Sequence, residues 1–216
     1  MSFEEAATMP LGLTTAAMGI FCRLPLEVTT RLTERKTLLV WGAATSVGQF
    51  AVQMAKIVGL RVIGVAGNAE VAKTAGCDVV IDYRQGDTIA KIRQALEGEK
   101  LQWAFDAVSE GGTMEAITEL FEPGTPDPIL VLVLWPTSKL PDWISYLDTN
   151  VFSVYGEEQL LGVLNLLGTL PNLFRREFYL LALRIKRLGS SFSRCWSSGS
   201  ERRRFDRIKL QSFLVD

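Results

Sequence analysis

Seven residues, Gly42-Ala43-Ala44-Thr45-Ser46-Val47-Gly48, put small side chains, two hydroxyls and two glycines between an apolar run and an amphipathic stretch. A strand-turn-helix junction of this kind aims backbone N–H groups and the positive end of the helix dipole at one point, where a phosphate can bind. The small residues would let a pyrophosphate approach the backbone, Thr45 and Ser46 would add hydroxyl donors, and Gly48 would let the helix pack closely on the strand. Measured against G-x-G-x-x-G, the turn keeps the third glycine as Gly48 and has Ala43 and Thr45 at the first two positions. A tight turn that serves packing alone stays open on these residues.

The next strand narrows the ligand. In the NAD-binding version of this unit an Asp or Glu at the end of the second strand bonds the adenine ribose 2'-hydroxyl. Here that strand ends Val65-Ala66-Gly67-Asn68, with no carboxylate to repel a 2'-phosphate. The pattern therefore favours NADPH over NADH, and it disfavours a methyltransferase, which needs an acid for its own ribose. The alternative is that Ala66 to Asn68 form only a turn and no nucleotide binds.

These segments belong to a regular alternation. Apolar runs at 37–42, 61–66, 78–82, 103–108, 129–135 and 151–156 read as six strands. Helical periodicity is predicted at 46–59, in a short stretch around Ala69 to Ala72, and at 87–96 and 113–121. Such alternation signals βαβ units, so the expected fold is α/β: a doubly wound Rossmann domain with a six-stranded, mostly parallel sheet in the order 3-2-1-4-5-6. Residues 1–36 read as a lead-in with a helical tract over 4–21 interrupted at Pro10, residues 37–156 as the dinucleotide-binding domain, and 157–188 as a helical extension. The Ser/Arg-rich stretch 189–216 is expected to be an irregular, disordered tail. The run Ile129 to Trp135 suits a strand buried on both faces.

Composition removes several function classes. The 216 residues suffice for one domain with an added segment. No histidine is present, which excludes imidazole bases, Ser-His-Asp triads and histidine metal ligands. Cys22, Cys77 and Cys195 lie far apart and form no C-x-x-C pair, so a zinc knuckle is not indicated and a reducing, cytoplasmic setting is expected. No segment reaches the length of a membrane span. Charge is uneven: residues 1–174 hold 12 Lys/Arg against 20 Asp/Glu, and residues 175–216 hold 11 against 4. The cluster Arg202 to Arg204 with Arg207 and Lys209 lacks any nucleic-acid motif, so no such partner is expected. Asp106 and Glu110 flank a strand end, and a strand-end residue beside a solvated loop charge is preferred to an acid/base pair.

The segments TLLVWGAATSVGQFAVQMAKIVGLRVIGVAG, TAGCDVVIDYRQGD and WAFDAVSEGGTMEA resemble the cofactor domain of the medium-chain dehydrogenase/reductase superfamily. Within it they are similar to the zinc-independent quinone oxidoreductase and enoyl reductase branch, fungal members above all, some of which serve polyketide pathways. FEEAATMPLGLTTAAMGIF resembles the helix that joins the two domains of that family.

The resemblance implies that Ala44, Thr45, Ser46 and Val47 bind the pyrophosphate and that Gly67 and Asn68 hold the 2'-phosphate. It further implies that Tyr83 contacts the adenosine end of NADPH, that Ala107 and Val108 lie beneath the nicotinamide ribose, and that Leu134, with Trp135, approaches the nicotinamide. It implies an NADPH-dependent reduction of an activated C=C bond or quinone, with an enone, enoyl thioester or quinone as acceptor and no catalytic acid or base among these residues. Three departures accompany it. The usual Ser and Lys of the 2'-phosphate loop are replaced, and no counterpart of the family's N-terminal catalytic domain stands before residue 1, so a truncated chain is expected. Residues 175–216 do not match the family's return segment, and a shifted frame or mispredicted exon is the expectation there. An inactive NADP(H)-binding remnant or partner subunit is the alternative, and uncovered apolar surface would favour a homo-oligomer.

Overall fold

A computed structural model describes residues 3–26, 32–136 and 139–149. Among these residues six strands form one sheet: β1 (Thr37–Trp41), β2 (Arg61–Val65), β3 (Val79–Ile81), β4 (Trp103–Asp106), β5 (Ile129–Leu132) and β6 (Ser145–Asp148). Their order is β3-β2-β1-β4-β5-β6, and every pairing is parallel. The helices are α1 (Phe3–Met18), α2 (Ser46–Ile57), α3 (Ala69–Ala75), α4 (Thr88–Ala95) and α5 (Thr113–Thr118). A parallel sheet needs cover on both faces, and two apolar clusters supply it. Leu38, Val40, Val62, Phe105 and Val131 pack with α1 and α2, whereas Leu39, Ile63, Val65, Leu130 and Leu132 pack with residues of α4 and α5.

The sheet order and the strand-helix alternation agree with the sequence expectation, and the differences have local causes. Pro10 does not interrupt α1, which runs through it and continues as a π-helical turn at Gly19–Arg23. The lost backbone bond costs about 3 kcal/mol. Burial of Leu13, Ala16, Ala17, Met18 and Ile20 outweighs that, since each large side chain is worth about 1.5–3 kcal/mol. β4 stops at Asp106 instead of 108 because the Asp106 carboxylate takes the amides of Val108 and Ser109 at 3.0 and 2.9 Å. β5 stops at Leu132 because the Val133 amide donates to the Ser109 hydroxyl at 3.0 Å rather than to a strand. The apolar run beyond it therefore leaves the core, and Leu134 and Trp135 are 50% and 68% exposed.

The sheet also holds a strand that sequence reasoning did not anticipate. It lies at Ser145–Asp148, paired with β5 from Ile129↔Ser145 to Leu132↔Asp148. With β5 as its one neighbour among the described residues it is only half buried, so it needs no continuous apolar run to mark it in sequence. The strand expected at 151–156, the helical extension at 157–188 and the tail at 189–216 lie outside the described residues.

Candidate functional site

Parallel register sets one row of residues across the carboxyl edge of the sheet: Ile81, Val65, Trp41, Asp106, Leu132 and Asp148. Each sequence-derived site residue follows one of these positions by a few residues. The spacing between strands is about 4.8 Å, so the stretch from β3 to β5 covers roughly 19 Å, the scale of an extended two-nucleotide ligand. Between β1 and β4 the chain connections diverge to opposite sides, which makes the crevice where open α/β sheets bind ligands.

The β1–α2 turn occupies that crevice. Gly42 adopts φ +78°, and its N–H and that of Ala43 donate to the Val65 carbonyl at 2.9 and 3.0 Å, anchoring the turn to β2. Thr45 caps α2: its hydroxyl accepts from the Gly48 amide at 3.0 Å, while its own amide donates to the Gly42 carbonyl at 2.9 Å. Among the described residues the amides of Ala44, Ser46 and Val47 have no protein acceptor. Three N–H donors at the N-terminus of a twelve-residue helix, with Thr45 and Ser46 exposed, offer an anion a ready set of partners.

Close packing explains the glycines. A Cβ on Gly48 would stand 2.1 Å from the Gly42 carbonyl oxygen and 3.0 Å from Ala43 Cα. One on Gly42 would meet Val108 Cγ2 at 2.8 Å and Ala107 Cβ at 3.5 Å, so the β1 and β4 turns touch. The lead-in helix reaches the same place, because a Cβ on Gly12 would lie 2.6 Å from the Ser46 hydroxyl.

At the β2 end, Asn68 caps α3 by accepting from the Val71 amide at 3.3 Å. Gly67 lies against Tyr83, whose hydroxyl would be 3.2 Å from a Cβ at that position. Tyr83 is half exposed and Arg84 exposed. The Arg84 guanidinium donates to the Gly67 carbonyl and to both oxygens of Asp82, at 2.9 and 2.7 Å. These bonds from Arg84 hold the Asp82 carboxyl down at about 2. Sequence reasoning missed Arg84, since residues 67 and 84 become neighbours only through β2–β3 pairing.

The β4 end carries the other residue that sequence reasoning undervalued. Asp106 is fully buried, and its carboxylate accepts from the Thr113 hydroxyl at 2.6 Å as well as from the two amides. Burial lifts its carboxyl above the usual aspartate range, although bonds from Thr113, Ser109 and Val108 pull the other way. Ser109 donates to the Asp106 carbonyl at 2.9 Å and accepts from Val133, tying the β4 turn to the chain just before Leu134. Asp106 is therefore a strand-end anchor, and Glu110 an exposed loop residue, as preferred from sequence.

The comparisons with known proteins agree with this geometry. A family model described as zinc-binding dehydrogenase matches residues 46–126. The trans-enoyl reductase fsr4 of Gibberella fujikuroi is 33% identical over 165 residues, which cover 71% of this chain and 49% of the relative. The described residues form a medium-chain dehydrogenase/reductase cofactor domain. Among solved structures, the CurK enoyl reductase superposes with a TM-score of 0.63 at 24% identity, covering 77% of this chain and 51% of that one. Escherichia coli quinone oxidoreductase complexed with NADPH gives 0.59 at 23% identity, over 86% and 55%. At these identities the structural likeness of the reductase-superfamily domain speaks for the fold alone. The chain spans about half the length of the relatives it matches.

The family description names zinc, and the ligand chemistry of this domain does not fit it. The sequence has no histidine, and among the described residues no group of three His, Cys, Asp or Glu could hold a metal ion. No helix among them is long and apolar enough to cross a membrane.

Proposed function

We propose that this domain binds NADPH for an oxidoreductase that reduces an activated C=C bond, in an enone or enoyl thioester, or a quinone. The observation that carries the reading is the β1–α2 turn: three amides without protein acceptors at a helix N-terminus, in the crevice of a doubly wound sheet. A pyrophosphate would take the amides of Ala44, Ser46 and Val47, with hydroxyls of Thr45 and Ser46 alongside. Gly67 and Asn68, at a strand end without a carboxylate, would accept the 2'-phosphate, and Tyr83 would lie along the adenosine. Ala107 and Val108, braced by Asp106, would support the nicotinamide ribose, and Leu134 would approach the nicotinamide. The bound nucleotide supplies a hydride to the acceptor. The protein's own part is to bind and orient. Small side chains at 43, 44 and 48 admit the backbone contact, and the Asp106–Ser109–Val133 chain of bonds fixes the two turns relative to each other. The fungal trans-enoyl reductase relative and the NADPH complex of the bacterial neighbour support the choice of chemistry and of nucleotide.

Fluorescence titration with NADPH and NADH tests the binding step, and NADPH oxidation in the presence of an ortho-quinone or a crotonyl thioester tests the reaction. Tighter binding of NADPH with turnover of either acceptor is expected. Equal or tighter binding of NADH overturns the nucleotide preference, and binding without turnover of either acceptor overturns the activity.

A further inference from the structure

The residues that end β2 carry no carboxylate, but absence of repulsion does not bind a phosphate; a cation does, and here it must also neutralise the Asp82 carboxylate that follows β3. Glycine at 67 lets two side chains from the turn after β3 close over its Cα: Tyr83 Oη would lie 3.2 Å and Arg84 Nε 3.5 Å from a Cβ there. Arg84 is held in place on three sides. Its amide and Nε donate to Asp82 Oδ1 at 3.0 and 2.9 Å, and its Nη2 donates to Asp82 Oδ2 at 2.7 Å and to the Gly67 carbonyl. Those bonds use Nε and Nη2. Nη1 keeps its donors without a partner among the described residues, on a side chain 61% exposed. A guanidinium has five N–H donors in a fixed fork, so an edge anchored to a carboxylate leaves the remaining donors pre-oriented for a second anion.

We infer that Arg84 is the specificity-determining cation of this domain: its free Nη1 edge bonds the 2'-phosphate, and Asp82 serves as the positioning residue that aims it. The inference rests on the reading of the site as a dinucleotide crevice. It supplies the positive charge that the loop at Gly67-Asn68, where no lysine or arginine stands, does not.

The test measures dissociation constants of NADPH, NADH and 2',5'-ADP for the full chain and for Arg84→Gln and Asp82→Asn. Arg84→Gln should weaken NADPH and 2',5'-ADP by about 10- to 100-fold, the size of a lost charge-assisted contact, and leave NADH within about 2-fold. Asp82→Asn should weaken the same two ligands by a smaller factor, because the guanidinium remains but is less well aimed. NADPH affinity of the unaltered chain should also fall with added salt more steeply than NADH affinity. Arg84→Gln that lowers NADPH and NADH equally, or neither, overturns the role of Arg84 while leaving the dinucleotide reading intact. An unaltered chain that binds no nucleotide overturns both.

Discussion

Replacing Gly48 with alanine sets two effects of opposite sign against each other. Within a helix, glycine to alanine is ordinarily worth up to about 1 kcal/mol of stability. Here the new Cβ would lie 2.1 Å from the Gly42 carbonyl oxygen, where ordinary contact begins near 3.4 Å, so about 1.3 Å of separation must be found. The obstacle is backbone and cannot rotate away. Gly42 is already at φ +78°, with its amide committed to Val65 and its carbonyl to Thr45. Overpacking of this kind costs about 1–3 kcal/mol or more, so the contact wins. Gly48→Ala should lower Tm by about 2–8 °C. It should also weaken NADPH binding about 10-fold or more, since α2 and its open amides would move by roughly an ångström. Gly98→Ala is the control. Gly98 has φ +85° and nothing within 4 Å, so backbone strain should lower Tm there without altering nucleotide binding. Differential scanning fluorimetry with the nucleotide titration reads both quantities. A Gly48→Ala protein with unchanged or raised Tm and undiminished affinity would refute the packing argument.

Other perturbations have similarly defined outcomes. Asn68→Asp keeps the helix cap but adds a carboxylate at the β2 end, so NADPH affinity should fall while NADH affinity holds or improves, as read by fluorescence titration. Asp106→Ala leaves two amides and a hydroxyl without their acceptor and should cost about 2–3 kcal/mol in urea unfolding, whereas Asp106→Asn can keep all three partners and should cost far less. Because burial raises the Asp106 carboxyl above its unfolded value, its contribution is full below the unfolded pKa and is lost as pH rises through the folded one. Asp106→Asn should flatten that part of the stability–pH curve, and a curve that keeps its slope would contradict the assignment. Burial, with Asp78 beside it, pushes the Cys77 thiol up to about 11, so peptide mass spectrometry should show it alkylated at pH 8 far more slowly than glutathione.

Much of this arrangement is legible in the sequence because buried parallel strands write themselves as continuous apolar runs. Leu38 to Val40, Val62 to Val65 and Leu130 to Leu132 are each shielded on both faces, and their order follows from handed crossovers. Strand ends are less legible, because side chains decide them: Asp106 ends β4 and Ser109 ends β5 by capturing amides that a longer strand would have used. The half-buried strand at Ser145–Asp148 carries a weaker signal than the apolar run after it, since partial exposure imposes no continuous hydrophobic pattern. Pro10 misleads because a local backbone penalty is visible in sequence and the burial of α1 that outweighs it is not. The turn at 42–48 is readable since strand, turn and helix are contiguous. Arg84 at Gly67 is not, being 17 residues away along the chain.

Nucleotide binding by this domain depends most on the open amides at the head of α2. Titrating NADPH into isotope-labelled protein and following backbone amide resonances tests them directly. The largest shifts are expected at Ala44, Ser46 and Val47, with smaller ones at Gly67 and Val108. A saturating titration that leaves those three resonances in place would contradict the account.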